Sequence, residues 1–143
     1  MEVLRRIVAG ELPSPPMGDL LGLRPLEIEH GRAVFACEPG RQHYNPLGTV
    51  HGGLVATLLD SALGCAVYST LPAGWGFVTL DLSVSFVRAL SATSGTIVCE
   101  GRIRHRGGTV ATAAGDVMLE GSGTLVAHGS ATCLLRELRA PAA

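Results

Sequence analysis

One charged residue interrupts the most apolar stretch of this chain. From Leu54 to Leu71 the residues are aliphatic, small or hydroxyl-bearing, and Asp60 alone carries a charge. Burying an unpaired carboxylate is costly, so Asp60 is exposed, partnered, or retained because chemistry needs it. A carboxylate shielded from water becomes a stronger base, which suits proton abstraction at neutral pH. The plainer reading sets Asp60 on the helix's one wet stripe beside Thr57, Ser61 and Gly64. Both readings stay open at this level.

The second group of interest is the run Asn45-Pro46-Leu47-Gly48-Thr49-Val50-His51-Gly52-Gly53. Two glycines opening a helix leave backbone N–H groups unshielded at the positive end of the helix dipole, where a developing negative oxygen is stabilised. Asn45 and His51 place side-chain donors close by. Gly53 and Asp60 are seven apart, about two helical turns, and so share a face. An ordinary glycine-rich helix start without a ligand is the competing account.

These residues need elements to hold them. Residues 2–9 read as a short amphipathic helix ended by Gly10 and the Pro13–Pro16 cluster. Leu20 to Glu29 and Arg32 to Glu38 read as a hairpin turning at His30-Gly31, followed by a loop from Pro39 to Gly52. Gly53 to about Ser69 is the one strong helix, apolar nearly all round and therefore buried. Beyond Gly74-Trp75-Gly76 the period becomes two. Val78, Leu80, Leu82, Val84 and Phe86 alternate with Thr79, Asp81, Ser83 and Ser85, as in a half-buried strand. Strand-like runs follow at about 95–105, 109–120 and 123–135, punctuated by glycines. The tail from Arg139 to Ala143 reads as frayed. The order is hairpin, long helix, then four strands in a meander. This predicts an α+β domain over residues 1–143, with 1–19 as N-terminal helix and linker and 20–136 as core. An antiparallel sheet of about six strands curls around one central helix.

Composition excludes several classes. With 143 residues, 47% of them apolar and 16% charged, the chain is neither disordered nor two domains. A net charge of -1 and eleven arginines without a broad basic stripe argue against nucleic-acid binding. The apolar share is high for a small monomer and points to an oligomer. Cys37, Cys65, Cys99 and Cys133 are widely spaced in apolar runs, which suits free thiols in a cytoplasmic protein and neither disulfides nor a metal. The start of the chain does not read as a signal peptide, and Asp60 in the apolar run argues against a membrane span.

The segment Asn45-x-x-Gly48-x-x-His51-Gly52-Gly53, with an acidic residue nine positions after the histidine, resembles the hotdog-fold acyl-CoA thioesterases. It is most similar to the PaaI-like and 4-hydroxybenzoyl-CoA thioesterase group, over roughly residues 20–135. The resemblance implies a hydrolase that splits an acyl-CoA into free acid and CoA. It also implies a homodimer with paired sheets, often a dimer of dimers, whose sites lie between subunits. Asn45 to Gly52 of one chain would then face Asp60 of the partner subunit. In that family the residue matching Asp60 acts as nucleophile or general base. The N–H matching Gly52 polarises the carbonyl, Asn45 orients water or carbonyl, and His51 holds the loop. Thr79 occupies the place of an assisting hydroxyl, with Ser83 a weaker candidate. Arg88, Arg104, Arg106 and the Gly107-Gly108 turn are candidates for the CoA phosphates. No cofactor is implied beyond the CoA of the substrate. Aryl, arylacetyl or medium-chain acyl groups are the expected substrates, on a pocket floor set by residues such as Leu54, Leu63, Trp75 and Phe77. His105 and His128 need no role, and Arg5 and Arg6 read as solvated. Two other readings of the scaffold are a dehydratase or hydratase of acyl thioesters and a non-catalytic acyl-CoA-binding module.

Overall fold

A computed structural model describes residues 2–138; the tail expected to fray, 139–143, lies outside the described residues. Helix α1 spans Glu2–Val8 and α2 spans Pro16–Leu21, then β1 (Arg24–Glu29) and β2 (Arg32–Cys37) form the expected hairpin. Gly31 turns it with φ 78°, a conformation open to glycine. A 3-10 turn at Arg41–His43 leads to the long helix α3, Gly52–Tyr68. Strands β3 (Trp75–Phe86), β4 (Ile97–Arg106), β5 (Val110–Leu119) and β6 (Leu125–Glu137) complete a six-stranded antiparallel sheet.

The sheet wraps α3, whose residues Leu54, Val55, Leu58, Leu59, Ala62, Leu63, Ala66 and Val67 are buried. This i, i+1, i+4, i+5 spacing makes a broad apolar face, and each fully buried leucine stabilises by about 1.5–3 kcal/mol. The helix is not buried all round: Thr57, Asp60, Ser61, Cys65 and Tyr68 form a half-buried stripe. The sheet approaches the helix backbone closely at Gly101, where a Cβ would lie 2.7 Å from the Ala62 carbonyl carbon and oxygen. Backbone on both sides leaves little room to give. Gly101→Ala should therefore cost about 1–3 kcal/mol, read as a lower urea midpoint at unchanged slope.

Three expectations need correction. Leu20 to Leu23 is not strand; Pro16 at the first helical position and Gly22 at the C-cap (φ 69°) define α2 instead. The four later strands are not a simple meander, for the sheet order is β1-β2-β4-β5-β6-β3. Helix α3 carries the chain across the sheet, so β3 lands at the far edge and pairs with β6. The third correction lies within β3. A register shift between Thr79 and Asp81 inserts a bulge that reverses the alternation. Val78 and Leu80 consequently face outward, 41% and 60% exposed, while Leu82 and Val84 pack against the core.

Candidate active site

Asp60 sits on the half-buried stripe of α3, eight residues from its start. The bulge in β3 turns Thr79 towards the helix, and its hydroxyl donates to Asp60 Oδ1 at 3.0 Å. Asp60 Oδ2 has no hydrogen-bond partner among the described residues. One carboxylate oxygen is thus oriented and the other is left available. Ser83 lies beyond the bulge, so it is exposed on the opposite face from Thr79.

A cavity of about 210 Å³ opens against Asp60. Its walls include Ile28 and Phe35 of the β1–β2 hairpin, Phe77 of β3, and Cys65 one turn beyond Asp60. Cys65 is held as a neutral thiol. Burial pushes its thiol up to about 12, and the neighbouring Asp60 charge acts in the same direction. Of the residues expected on the pocket floor, Phe77 lines this cavity. Leu54 and Leu63 belong to the central core, against which Trp75 packs.

The other end of α3 is built by the preceding loop. His51 caps the helix, its Nδ1 accepting the Gly53 N–H at 2.8 Å. The His51 N–H donates to the His43 carbonyl at 2.7 Å. Gly52 is the first residue of the helix, so its N–H has no acceptor within it. A Cβ at Gly52 would meet Phe86 Cζ at 3.0 Å, so the helix start lies directly against the end of β3. Asn45 is occupied within the loop. Its Oδ1 accepts the Leu47 N–H at 2.9 Å and the Thr49 N–H at 3.3 Å, and its Nδ2 donates to Thr49 Oγ1 at 3.0 Å. This side chain shapes the loop, and one amide hydrogen remains for another partner.

Sequence reasoning passed over His43. It is 8% exposed, its Nδ1 accepts the Gly40 N–H at 2.9 Å, and its carbonyl anchors His51. A histidine in a polar loop carries no local mark of burial. The contribution of α1 and α2 to the cavity beside Asp60 was missed as well.

The candidate CoA ligands are scattered within one chain. Arg88 borders a second cavity of about 360 Å³ together with Gly52 and Phe86. Arg104 lies on the outer sheet face near Glu100 and Asp116. Arg106 borders a hollow with Thr70 and Pro72, and Gly107-Gly108 make the β4–β5 turn, closed by the Gly107 N–H to Val110 carbonyl bond at 2.8 Å. Arg88 alone of these candidates shares a cavity with Gly52.

A helix wrapped by a six-stranded antiparallel sheet, with a helix-start glycine and a mid-helix carboxylate, is an arrangement shared with known proteins. Residues 47–126 match the thioesterase superfamily model. The mouse acyl-coenzyme A thioesterase 13 is 36% identical over 91 residues, 64% of each chain, so the match spans just under two thirds of that relative. A phenylacetic acid degradation-related protein from Ralstonia eutropha has TM-score 0.80 at 30% identity, covering 92% of this chain and 98% of that one. A variant of the phenylacetic acid degradation protein PaaI from Thermus thermophilus has TM-score 0.75 at 30% identity, covering 84% and 98%. The chain belongs to the thioesterase superfamily and, within it, to the PaaI-like hotdog thioesterases, a family of thioester hydrolases.

Proposed function

We propose that the protein hydrolyses acyl-CoA to free acid and CoA, acting on aryl, arylacetyl or medium-chain acyl groups. The observation that carries this reading is Asp60, oriented by Thr79 at the wall of an apolar cavity. The names of the mouse relative and of the phenylacetic acid degradation proteins support the substrate class. Asp60 removes a proton from the attacking water, or attacks the carbonyl itself. In either case charge builds on the carbonyl oxygen, which the Gly52 N–H at the positive helix end stabilises. A thiolate then leaves and takes up a proton; where Asp60 itself attacked, water next hydrolyses the mixed anhydride to free acid and restores the carboxylate. The chemistry asks for no group beyond the protein and the CoA of its substrate.

Gly52 and Asp60 of one chain do not serve the same carbonyl. They are eight residues apart on one helix, a rise of about 12 Å, whereas both must lie about 3 Å from the reacting group. A second copy removes the difficulty. Strand β3 is a twelve-residue edge strand with Val78 and Leu80 exposed, a surface suited to pairing with another chain. Antiparallel pairing centred on Leu82 and Ser83 would set Thr79 across from Phe86 of the partner subunit. Thr79 holds Asp60 and Phe86 abuts Gly52, so this pairing joins one subunit's base to the other's donor. A homodimer, or a dimer of dimers, is the proposed form. Free thiols at Cys37, Cys65, Cys99 and Cys133 support a reducing, cytoplasmic setting. Among the described residues no helix is long and apolar enough to cross a membrane.

Thiol release from a panel of acyl-CoAs is the direct test, and tight binding without turnover would overturn hydrolysis. The shared site is tested by mixing two inactive subunits, one carrying Asp60→Asn and one carrying Gly52→Pro. Each mixed dimer keeps one intact Asp60–Gly52 pair, so activity should return to roughly a quarter of wild type at equal mixing, as half the dimers are mixed with one site each. A mixture as inactive as its components would rule the shared site out.

A further inference from the structure

The cavity beside Asp60 has a roof that neither the catalytic helix nor the sheet supplies. Leu4 and Ile7 of α1 and Met17 and Gly18 of α2 close it from the N-terminal side. Leu4 and Ile7 are three apart and so share one face of α1, while Arg5 and Arg6 on the other side are exposed. An isolated helix of seven residues is not stable in water, so α1 holds its place by docking on β1. The first twenty residues thus bring apolar side chains across the end of a cavity that has a carboxylate in its wall.

We propose that α1 and α2 form the end wall of the acyl pocket, and that Leu4, Ile7 and Met17 set the size of the acyl group. This rests on the reading of Asp60 as the catalytic carboxylate. The chemistry of the lining identifies the occupant. Among the described residues Asp60 is the one charged residue bordering the cavity and no arginine borders it, so the CoA phosphates find no described cation there. A carboxylate-bearing acyl group would meet Asp60 with a like charge and no counter-ion. The cavity therefore takes a neutral apolar acyl group, while CoA leaves by another route. Volume limits its size. An apolar cavity of about 150 Å³ accommodates benzene, and the 210 Å³ here leaves room for a ring with a tether of one or two carbons. Phe35 and Phe77 offer ring faces and edges to such a group. What the roof adds to the proposed function is a limit on how far an acyl group reaches past Asp60.

The test is kcat/KM for acetyl-, phenylacetyl- and 4-phenylbutyryl-CoA in the full-length protein and in Ile7→Trp, Leu4→Phe and Met17→Ala. Wild type should favour phenylacetyl-CoA over acetyl-CoA by at least tenfold. Ile7→Trp and Leu4→Phe should lower kcat/KM for phenylacetyl-CoA by about tenfold or more relative to acetyl-CoA, since one methylene in a tight pocket discriminates by about 10–200-fold. A urea midpoint close to that of wild type is the control for folding. Met17→Ala should raise 4-phenylbutyryl-CoA relative to phenylacetyl-CoA by about fivefold. Equal effects of each substitution on all three substrates would overturn the assignment. If wild type released thiol from no acyl-CoA, the hydrolytic reading would fall, and the pocket would be judged by calorimetric binding alone. A tenfold tighter binding of phenylacetyl-CoA than acetyl-CoA, lost in Ile7→Trp, would still support the roof; equal binding would overturn it.

Discussion

Asp60→Asn should lower kcat by on the order of 10²-fold or more with the fold intact. The substitution keeps the shape of the side chain, and the asparagine Oδ1 can accept the Thr79 hydroxyl as Asp60 Oδ1 does at 3.0 Å. It removes the basic oxygen that is otherwise free to take a proton or attack a carbonyl. Stability should hold or rise slightly, because a neutral amide is easier to keep half-buried than a carboxylate. The melting temperature should accordingly stay within a few degrees of wild type. These two readouts separate catalysis from structure. Were the variant to turn over phenylacetyl-CoA or any other good substrate at a near-normal rate, the carboxylate would be only a polar residue on the helix's wet stripe. Were activity lost together with the folding transition, Asp60 would be structural and its bond to Thr79 a packing device.

The reason Asp60 was legible in the sequence is that its signal is local. A lone charge in eighteen apolar or small residues stands out without knowledge of its neighbours. The bounds of α3 were legible for a similar reason, marked by a glycine pair at one end and Pro72 beyond the other. The β1–β2 hairpin and the strand ends carried glycine punctuation of the same local kind. What failed depends on relations between distant residues. The alternation from Val78 to Phe86 looks regular, yet the bulge opposite β6 divides it, and no residue near Leu80 announces the shift. The position of β3 at the sheet edge follows from the path of α3 across the sheet, whereas sequence neighbours are the default pairing partners. Helix α2 was a misreading of available signs, because Pro16 and Gly22 are placed as helix start and stop residues. The roof over Asp60 joins residues more than forty positions apart, and hydrophobic period alone says nothing about such contacts.

Replacing Gly52 by Pro and, separately, by Ala should isolate the contribution of one backbone N–H. In the sequence, Pro at this position threatens the loop as much as the donor. The structure removes most of that concern. Gly52 is the first residue of α3, where proline's fixed φ is already suited to the helix and its missing N–H breaks no helical bond. The preceding residue, His51, has φ -64° and ψ 132°, the extended region that a following proline favours. The cap from Gly53 N–H to His51 Nδ1 and the bond from Leu54 N–H to the His51 carbonyl involve other donors and should persist. Both substitutions add a Cβ facing the Phe86 ring. Crowding of Phe86 is common to both substitutions, so the Ala variant measures it. Any further loss in the Pro variant then belongs to the N–H. A preorganised donor to a developing oxyanion contributes about 3 kcal/mol, so kcat of Gly52→Pro should lie on the order of 10²-fold below that of Gly52→Ala. KM should be nearly equal in the two, because the hydrogen bond strengthens mainly in the transition state. An amide-to-ester replacement at residue 52 deletes the same N–H without a ring and should match the Pro-to-Ala difference. If Pro and Ala share one kcat, the oxyanion donor lies elsewhere; if KM rises while kcat holds, the Gly52 N–H binds ground state and transition state alike.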